Sequence, residues 1–494
     1  MDESSGGGGA NQPSSGPKAG SFYRVFFFRD AADRLSAIPI LSARIIVSQS
    51  TLSRAAARGA DAGAVAHTFR KAGWRLLPFL FLCYVVAYLD RTNIGFAQLQ
   101  MKQDLGFSDA VYGLGAGVFF LGYALCEVPT NLVVKRFGTR WTLARILVPW
   151  GLVSIAMIHV SNATSFYVTR FLLGAFEAGL VPAALYFLTH WFPNQRRGNA
   201  ISLFMLGMPL SGVVGGPLAG WAMHDLQGVW GLHGWQWLFV VEGVPAVLLG
   251  LVCPLLLADS PERARWLDER ERGVITDALR AEHAGEAHTA YTFLQAIANP
   301  RLYVMAAAYF TFICGIYVIG FWLPTVIKSA GVDDVTQIGL YSMIPFAVSA
   351  VGMVLLCRRS DARMERRWHL AACAWVGAAM LALIPFVHTS LALSLVVLTV
   401  ATTAIYSTLP LFWAIPSAYF AGTNGAAGAI ALINSLGLIG GFVSPTIVGW
   451  LKTATGSLAS GLYAMAALLA AGAVCLLVGL SRSALDRGAT NRAH

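Results

Sequence analysis

The chain has 494 residues, of which 56% are hydrophobic and only 12% charged, with a mean hydropathy of +0.61 and a formal net charge of +10 at pH 7. Soluble domains carry about 25% charged residues, so these values exclude an ordinary soluble enzyme and make lipid the solvent for most of the chain. The positive balance alone admits a nucleic-acid partner; the placement of the charges argues against one.

Residues 1–70 differ from the rest. A Gly/Ser-rich start is followed by Arg24, Arg29, Arg34, Arg44, Arg54 and Arg58 among small and apolar residues, and no span fits there. A basic leader of this kind suits an organelle transit peptide, but Asp30, Asp33 and Asp61 do not, and no compact apolar core precedes a cleavage site. The segment reads as a disordered cytoplasmic extension or an upstream over-read of the reading frame.

From Leu76 onward, apolar runs of about 20 residues recur, each long enough at about 1.5 Å per residue to cross a hydrocarbon core of roughly 30 Å. They predict twelve helices, over 75–98, 110–134, 141–160, 164–190, 199–223, 236–257, 301–325, 336–357, 369–387, 390–415, 424–449 and 458–480. The runs are continuously apolar, whereas lipid-facing barrel strands would alternate. The expected fold is an all-α membrane protein whose twelve transmembrane helices form two six-helix bundles. The expected divisions are the extension 1–70, a bundle over 71–258, a cytoplasmic linker over 259–299, a bundle over 300–482 and a tail over 483–494.

The basic residues cluster in alternate loops: Lys135, Arg136 and Arg140; Arg196 and Arg197; Arg358, Arg359, Arg363, Arg366 and Arg367. The opposite loops hold little more than Lys102, Lys328 and Lys452. By the positive-inside rule this bias orients a multi-pass protein of a plasma membrane with both termini cytoplasmic, and the charge is topological, with no nucleic-acid partner implied. Seven cysteines without paired short spacing read as buried small hydrophobes. No metal-ligand spacing, Walker loop or nucleophile motif appears, so no metal, cofactor or enzymatic activity is expected.

Ionisable residues interrupt the first and fourth spans. Leu76 to Leu89 is too short to cross, so the first span must continue through Asp90-Arg91-Thr92-Asn93. In the fourth, Arg170 and Glu177 are seven residues apart on one helix face, roughly 10 Å along the axis. Each isolated charge near the bilayer centre costs about 2.5–3.5 kcal/mol even on a lenient scale. The four therefore face protein or water, and as Asp90, Arg91, Arg170 and Glu177 sum to zero they suit a self-neutralising cavity lining.

Several runs together resemble the anion:cation symporter family of the major facilitator superfamily: Leu89-Asp90-Arg91-Thr92-Asn93-Ile94, the Arg-x-x-x-Gly-x-x-Glu-x-Gly run from Arg170 to Gly179, Trp191-Phe192-Pro193-Asn194-Gln195-Arg196-Arg197-Gly198, and Asp259-Ser260-Pro261-Glu262. The family includes bacterial tartrate, phthalate and sugar-acid permeases. The resemblance, over about residues 70–480, implies proton-coupled uptake of a small organic acid by a monomer in a bacterial inner membrane, energised by the proton gradient without a cofactor. It implies that Asp90 and Glu177 carry protons and that Arg91 and Arg170 bind substrate or balance charge. Tyr88 and Tyr123 fall where first-half tyrosines contribute to the pocket.

Burial favours a neutral carboxyl and a nearby guanidinium favours an ionised one. Protonating an acid leaves the arginines undercompensated, and a substrate carboxylate restores the balance through a bidentate guanidinium contact. Proton and anion then bind in mutual favour. The alternative is that all four charges are structural ion pairs. The interiors of the second-half spans offer only neutral groups, chiefly Thr402, Thr403, Tyr406, Ser407, Thr408 and Trp413 in the tenth and Asn434 in the eleventh. Of these, Trp413 and Asn434 are the substrate-site candidates.

For gating, Glu127 is expected to partner a basic loop, with Arg136 and Arg140 in the first such loop and Asp361 after the eighth span. Asn131 and Lys135 stand where many members of the superfamily have Gly and Asp, which places the expected clasp in the second half. Competing readings are an organic-anion exchanger, a drug-type antiporter, or a transport-inactive nutrient sensor.

Overall fold

Backbone N–H and C=O groups find no water in a bilayer core, and the helix satisfies them within one segment. A computed structural model of the protein describes residues 39–285, 295, 297–363, 365–387, 389–420, 423 and 425–480. Among them, twelve helices are long and apolar enough to cross a membrane: Gly63–Leu105, Asp109–Glu127, Thr139–His159, Ala163–Trp191, Asn194–Asp225, Gly234–Leu256, Pro300–Ser329, Val335–Ala362, Arg367–Val387, Leu391–Tyr419, Gly428–Thr455 and Leu458–Gly479. Each overlaps a predicted span; most ends agree within about five residues, while the first begins twelve residues earlier and the second ends seven residues sooner than predicted.

The chain divides into two units, Met1–Ala64 and Val65–His494. The described part of the first is helical from Pro39, where the sequence reading assigns no element before about residue 70. Residues 1–38 and the tail from 481 lie outside the described residues.

Within the second unit, the third span packs on the sixth and the second on the fourth; across the two halves, the second packs on the eleventh and the fifth on the eighth. Small residues make these crossings possible. A side chain on Gly216 would meet the Gly339 carbonyl, and one on Gly95 would lie 2.8 Å from the Gly320 carbonyl.

The links between halves concentrate at the membrane face away from the basic loops. Gln98 Nε2 and Tyr112 Oη donate to the Phe321 carbonyl at 2.8 and 3.2 Å, and Ala110 N donates to Thr453 Oγ1 at 2.8 Å. Lys452 Nζ lies 3.1 Å from Asp109 Oδ1, which Lys102 also pairs, and 5.2 Å from the Trp322 ring. This end of the interface is closed by hydrogen bonds and charge together.

At the basic face, the Asp259-Ser260-Pro261-Glu262 run has a visible role. Asp259 Oδ1 accepts from the Arg140 backbone N at 2.9 Å, and its Oδ2 lies 3.2 Å from Arg140 Nε. Gly138, at φ +83°, makes the turn beneath, where a Cβ would meet the Asp259 carboxylate. The helix Glu269–Gly285 follows; Trp266 stacks on Trp191 at 5.5 Å, and Glu271 and Glu282 pair with Lys71 and Arg197.

Candidate functional site

The first span presents consecutive residues about 100° apart, and this separates Asp90 from Arg91. Arg91, 7% exposed, turns toward the second half. Its Nη2 donates to Glu177 Oε1, its Nη1 donates to Tyr317 Oη at 3.1 Å, and its guanidinium lies 5.2 Å from the Tyr88 and Tyr123 rings and 5.5 Å from Phe119. Ring faces are electronegative, so three of them add to the attraction of the carboxylate. Arg91 Nε and Glu177 Oε2 have no hydrogen-bond partner.

Glu177 sits where its helix stops. The fourth span, predicted as one helix, breaks into Ala163–Glu177 and Leu180–Trp191, with Gly179 at φ +93° between them. Thr130 fills the space a Cβ at Gly179 would need. The carbonyl end of a helix carries partial negative charge, so the guanidinium of Arg91 answers both the carboxylate and the helix terminus.

Gly174, one turn earlier, has the second span against it: a Cβ there would run into the Phe119 carbonyl. Gly174→Val is therefore expected to destabilise the fold by about 1–3 kcal/mol through overpacking, read as a lower melting temperature in detergent. An unchanged melting temperature would mean that the second and fourth spans are not held at this separation.

Asp90 faces the interior of the first half. Its carboxylate accepts from Trp150 Nε1 at 2.8 Å, from Asn93 Nδ2 at 3.3 Å and from Ser154 Oγ. Arg170, fully buried, donates from Nε to the Gly115 carbonyl at 3.4 Å and lies 5.0 Å from the Phe119 ring, leaving both Nη atoms without a hydrogen-bond partner. Phe119 thus stands between the two guanidinium groups. The four charges expected to line one cavity form two groups: Arg91 with Glu177 at the interface between halves, and Asp90 with Arg170 inside the first half.

Two further carboxyl groups change the charge sum. Glu242 of the sixth span, 2% exposed, belongs beside Asp90 and Asn93; sequence reasoning passed over it within a long apolar run, although an acid there was the signal. Glu127, expected to meet a basic loop, instead accepts from Asn434 Nδ2 at 3.2 Å. The reason is distance, since ten residues of helix, roughly 15 Å, separate it from Phe137 at the loop.

Asn434 Oδ1 in turn takes a bond from Tyr309 Oη at 3.4 Å, and Tyr309 packs on Phe412 and Trp413, each at 4.9 Å. The candidates Asn434 and Trp413 therefore belong to one aromatic wall of the second half, joined to the first through Glu127. Thr402, Ser407 and Thr408 donate to carbonyls of their own helix. Tyr406 packs edge-on against Phe346 at 5.6 Å, while Thr403 Oγ1 is buried without a partner.

The other gating candidates stay within their own halves. Arg136 lies 5.5 Å from the Phe137 ring, and Asp361 pairs with Arg366 at 3.0 Å. The Arg140–Asp259 pair ties the first basic loop to the end of the sixth span. The side chains of Asn131 and Lys135 lie outside the described residues.

A void lined by Thr92, Gly320 and Phe346, beside the Arg91 turn, measures 10 Å³, room for at most one water. A larger groove of 910 Å³ between the first and fifth spans is lined by Phe69, Trp74, Phe81 and Leu203, apart from the buried carboxylates.

Residues 80–445 match the Major Facilitator Superfamily. A putative tartrate transporter from Agrobacterium vitis is 43% identical over 418 residues, covering 85% of this chain and 92% of that protein. A quinolone resistance transporter from Acinetobacter baumannii is 39% identical, covering 82% and 93%. Among solved structures, the inward-open xylose transporter XylE from E. coli superimposes with a TM-score of 0.65 at 14% identity, over 83% of this chain and 96% of that one.

Proposed function

The chain belongs to the Major Facilitator Superfamily, and from that premise we propose that it takes up a small organic carboxylate together with protons by alternating access. It is a multi-pass membrane transport protein and not an enzyme. The observation that carries the finer reading is the buried Arg91–Glu177 pair at the boundary between halves, ringed by Tyr88, Tyr123 and Tyr317. Intramembrane charge is functional by default.

Protonation of Glu177 releases the guanidinium from its partner, and a substrate carboxylate takes the vacated place. Protonation leaves the buried group with one uncompensated positive charge, and the arriving carboxylate brings it back to zero. Asp90 with Arg170 sets a second balanced group behind it. Tyr309, Trp413 and Asn434 supply the opposing wall, shape and neutral hydrogen bonds without charge. No cofactor enters beyond the proton gradient, and the unit of transport is the monomer.

The positive-inside rule places the basic loops and both termini in the cytoplasm of a bacterial inner membrane. The interface tied through Asp109, Lys452 and Phe321 is then the outer one. The tartrate-transporter relative supports a carboxylate substrate.

The quinolone-resistance relative favours a second reading, drug-type antiport. Purified protein in vesicles, given an inward acid gradient and a panel of labelled organic acids including tartrate, separates the two. Symport predicts accumulation without internal counter-substrate. Accumulation only in preloaded vesicles, or gradient-driven efflux of a quinolone with no acid uptake, would replace the carboxylate symport.

A further inference from the structure

The groove of 910 Å³ between the first and fifth spans takes no part in the site described above. Pro209 withholds the N–H that would close the turn before it, and the fifth span breaks at Leu206, between Asn194–Met205 and Gly207–Asp225. Gly73, on the first span, leaves the groove wide: a Cβ there meets only Leu77 Cδ1, at 3.7 Å. The lining follows the first span from Arg70 to Phe81, roughly 16 Å of helix. That is about the depth of one leaflet of a hydrocarbon core roughly 30 Å thick.

The polar part of the lining lies at the basic face. Among the described residues, Arg70 and Arg196 are its only charged side chains, with the amides of Gln195 and Asn199 beside them, and the rest of the lining is apolar. Their chain neighbours Lys71 and Arg197 are taken by Glu271 and Glu282, whereas no described carboxylate pairs with Arg70 or Arg196. The Arg196 guanidinium lies 4.9 Å from the ring of Phe69, the residue before Arg70, so it reaches from the fifth span to the first. Trp74, one turn further in, is 78% exposed, as suits an aromatic residue at headgroup level.

We propose that this groove binds an anionic phospholipid from the leaflet at the basic face, with its phosphate held by Arg70 and Arg196 and an acyl chain laid along Trp74, Leu203 and Leu206. A guanidinium matches phosphate oxygens bidentately, and basic residues at the membrane surface attract anionic headgroups. The exposed leucines of a spanning helix face acyl chains. A free phosphate ion would engage the arginines and leave the apolar wall bare, and a zwitterionic lipid would cover the wall but bring a second cation to the arginines. Only a lipid with net negative charge satisfies both parts. The site requires that the chain spans a membrane and is independent of which solute it carries.

The test is native mass spectrometry of the purified full-length protein in neutral detergent, with phosphatidylglycerol and phosphatidylcholine of the same acyl chains added in equal amounts. The wild type is expected to retain phosphatidylglycerol in preference, and the double substitution Arg70→Gln, Arg196→Gln to lower that preference roughly 30-fold. Gly73→Phe keeps both arginines but puts a ring into the groove, and is expected to lose phosphatidylglycerol as well. Equal preference in the wild type and the double variant overturns the proposal. Undiminished retention in Gly73→Phe would place the lipid on the arginines outside the groove and overturns it too. So does release of the lipid by inorganic phosphate at the same concentration, the mark of a free-anion site. A wild type that retains neither lipid has another occupant in the groove, such as the chain's own residues 1–38, and equally overturns it.

Discussion

Arg91→Ala is expected to abolish gradient-driven accumulation of labelled tartrate in vesicles while leaving the protein inserted. The guanidinium is the group at the interface between halves that offers a fixed positive charge, and three rings and Tyr317 hold it there. Removing one partner of a buried, hydrogen-bonded charge pair costs about 2–5 kcal/mol, roughly a 30- to 4,000-fold loss of affinity at 1.4 kcal/mol per decade. The substitution also strands Glu177 without its cation, so some loss of stability is expected. Arg91→Lys separates the two effects. It keeps the charge but not the planar fork, and is expected to restore stability while raising the concentration of tartrate needed for half-maximal uptake. Accumulation at wild-type level in folded Arg91→Ala would assign the pair to scaffolding.

Glu177→Gln is expected to leave substrate binding intact and remove its coupling to the proton gradient. The amide is close in shape to the protonated acid, so Arg91 is permanently released and the anion site permanently available. Exchange of labelled for unlabelled tartrate across the vesicle should therefore persist, while an imposed acid gradient should no longer raise internal tartrate above the external level. The contrast with Arg91→Ala, in which both exchange and accumulation are lost, distinguishes a proton carrier from a substrate ligand. Loss of exchange in Glu177→Gln as well would mean that the carboxylate itself is needed to shape the site.

The twelve spans were legible because the hydropathic signal is long and one-sided, and the bilayer forbids the alternatives. The buried charges Asp90, Arg91, Arg170 and Glu177 were legible for the complementary reason, that each is costly where it stands. Their division into two groups was not, because it depends on how Phe119 of the second span inserts between Arg91 and Arg170. Likewise, the break after Glu177 follows from the space that Thr130 occupies beside Gly179, a contact between helices that no local pattern encodes. Glu242 was missed from the opposite cause: one acid barely lowers the mean hydropathy of a strongly apolar run. Glu127 was legible as an acid within a span, but its bond from Asn434 was not, since loop charge is visible in sequence and the approach of Asn434 from the eleventh span is not.

Anion and proton are proposed to enter together at Arg91 and Glu177. Vesicles containing the wild type, with equal pH on both sides and a clamped membrane potential, are followed by a trapped pH-sensitive dye while tartrate is added outside. Acidification of the interior in step with labelled tartrate entry is expected, and none with Glu177→Gln. Entry of labelled tartrate into wild-type vesicles with no change in internal pH would contradict it.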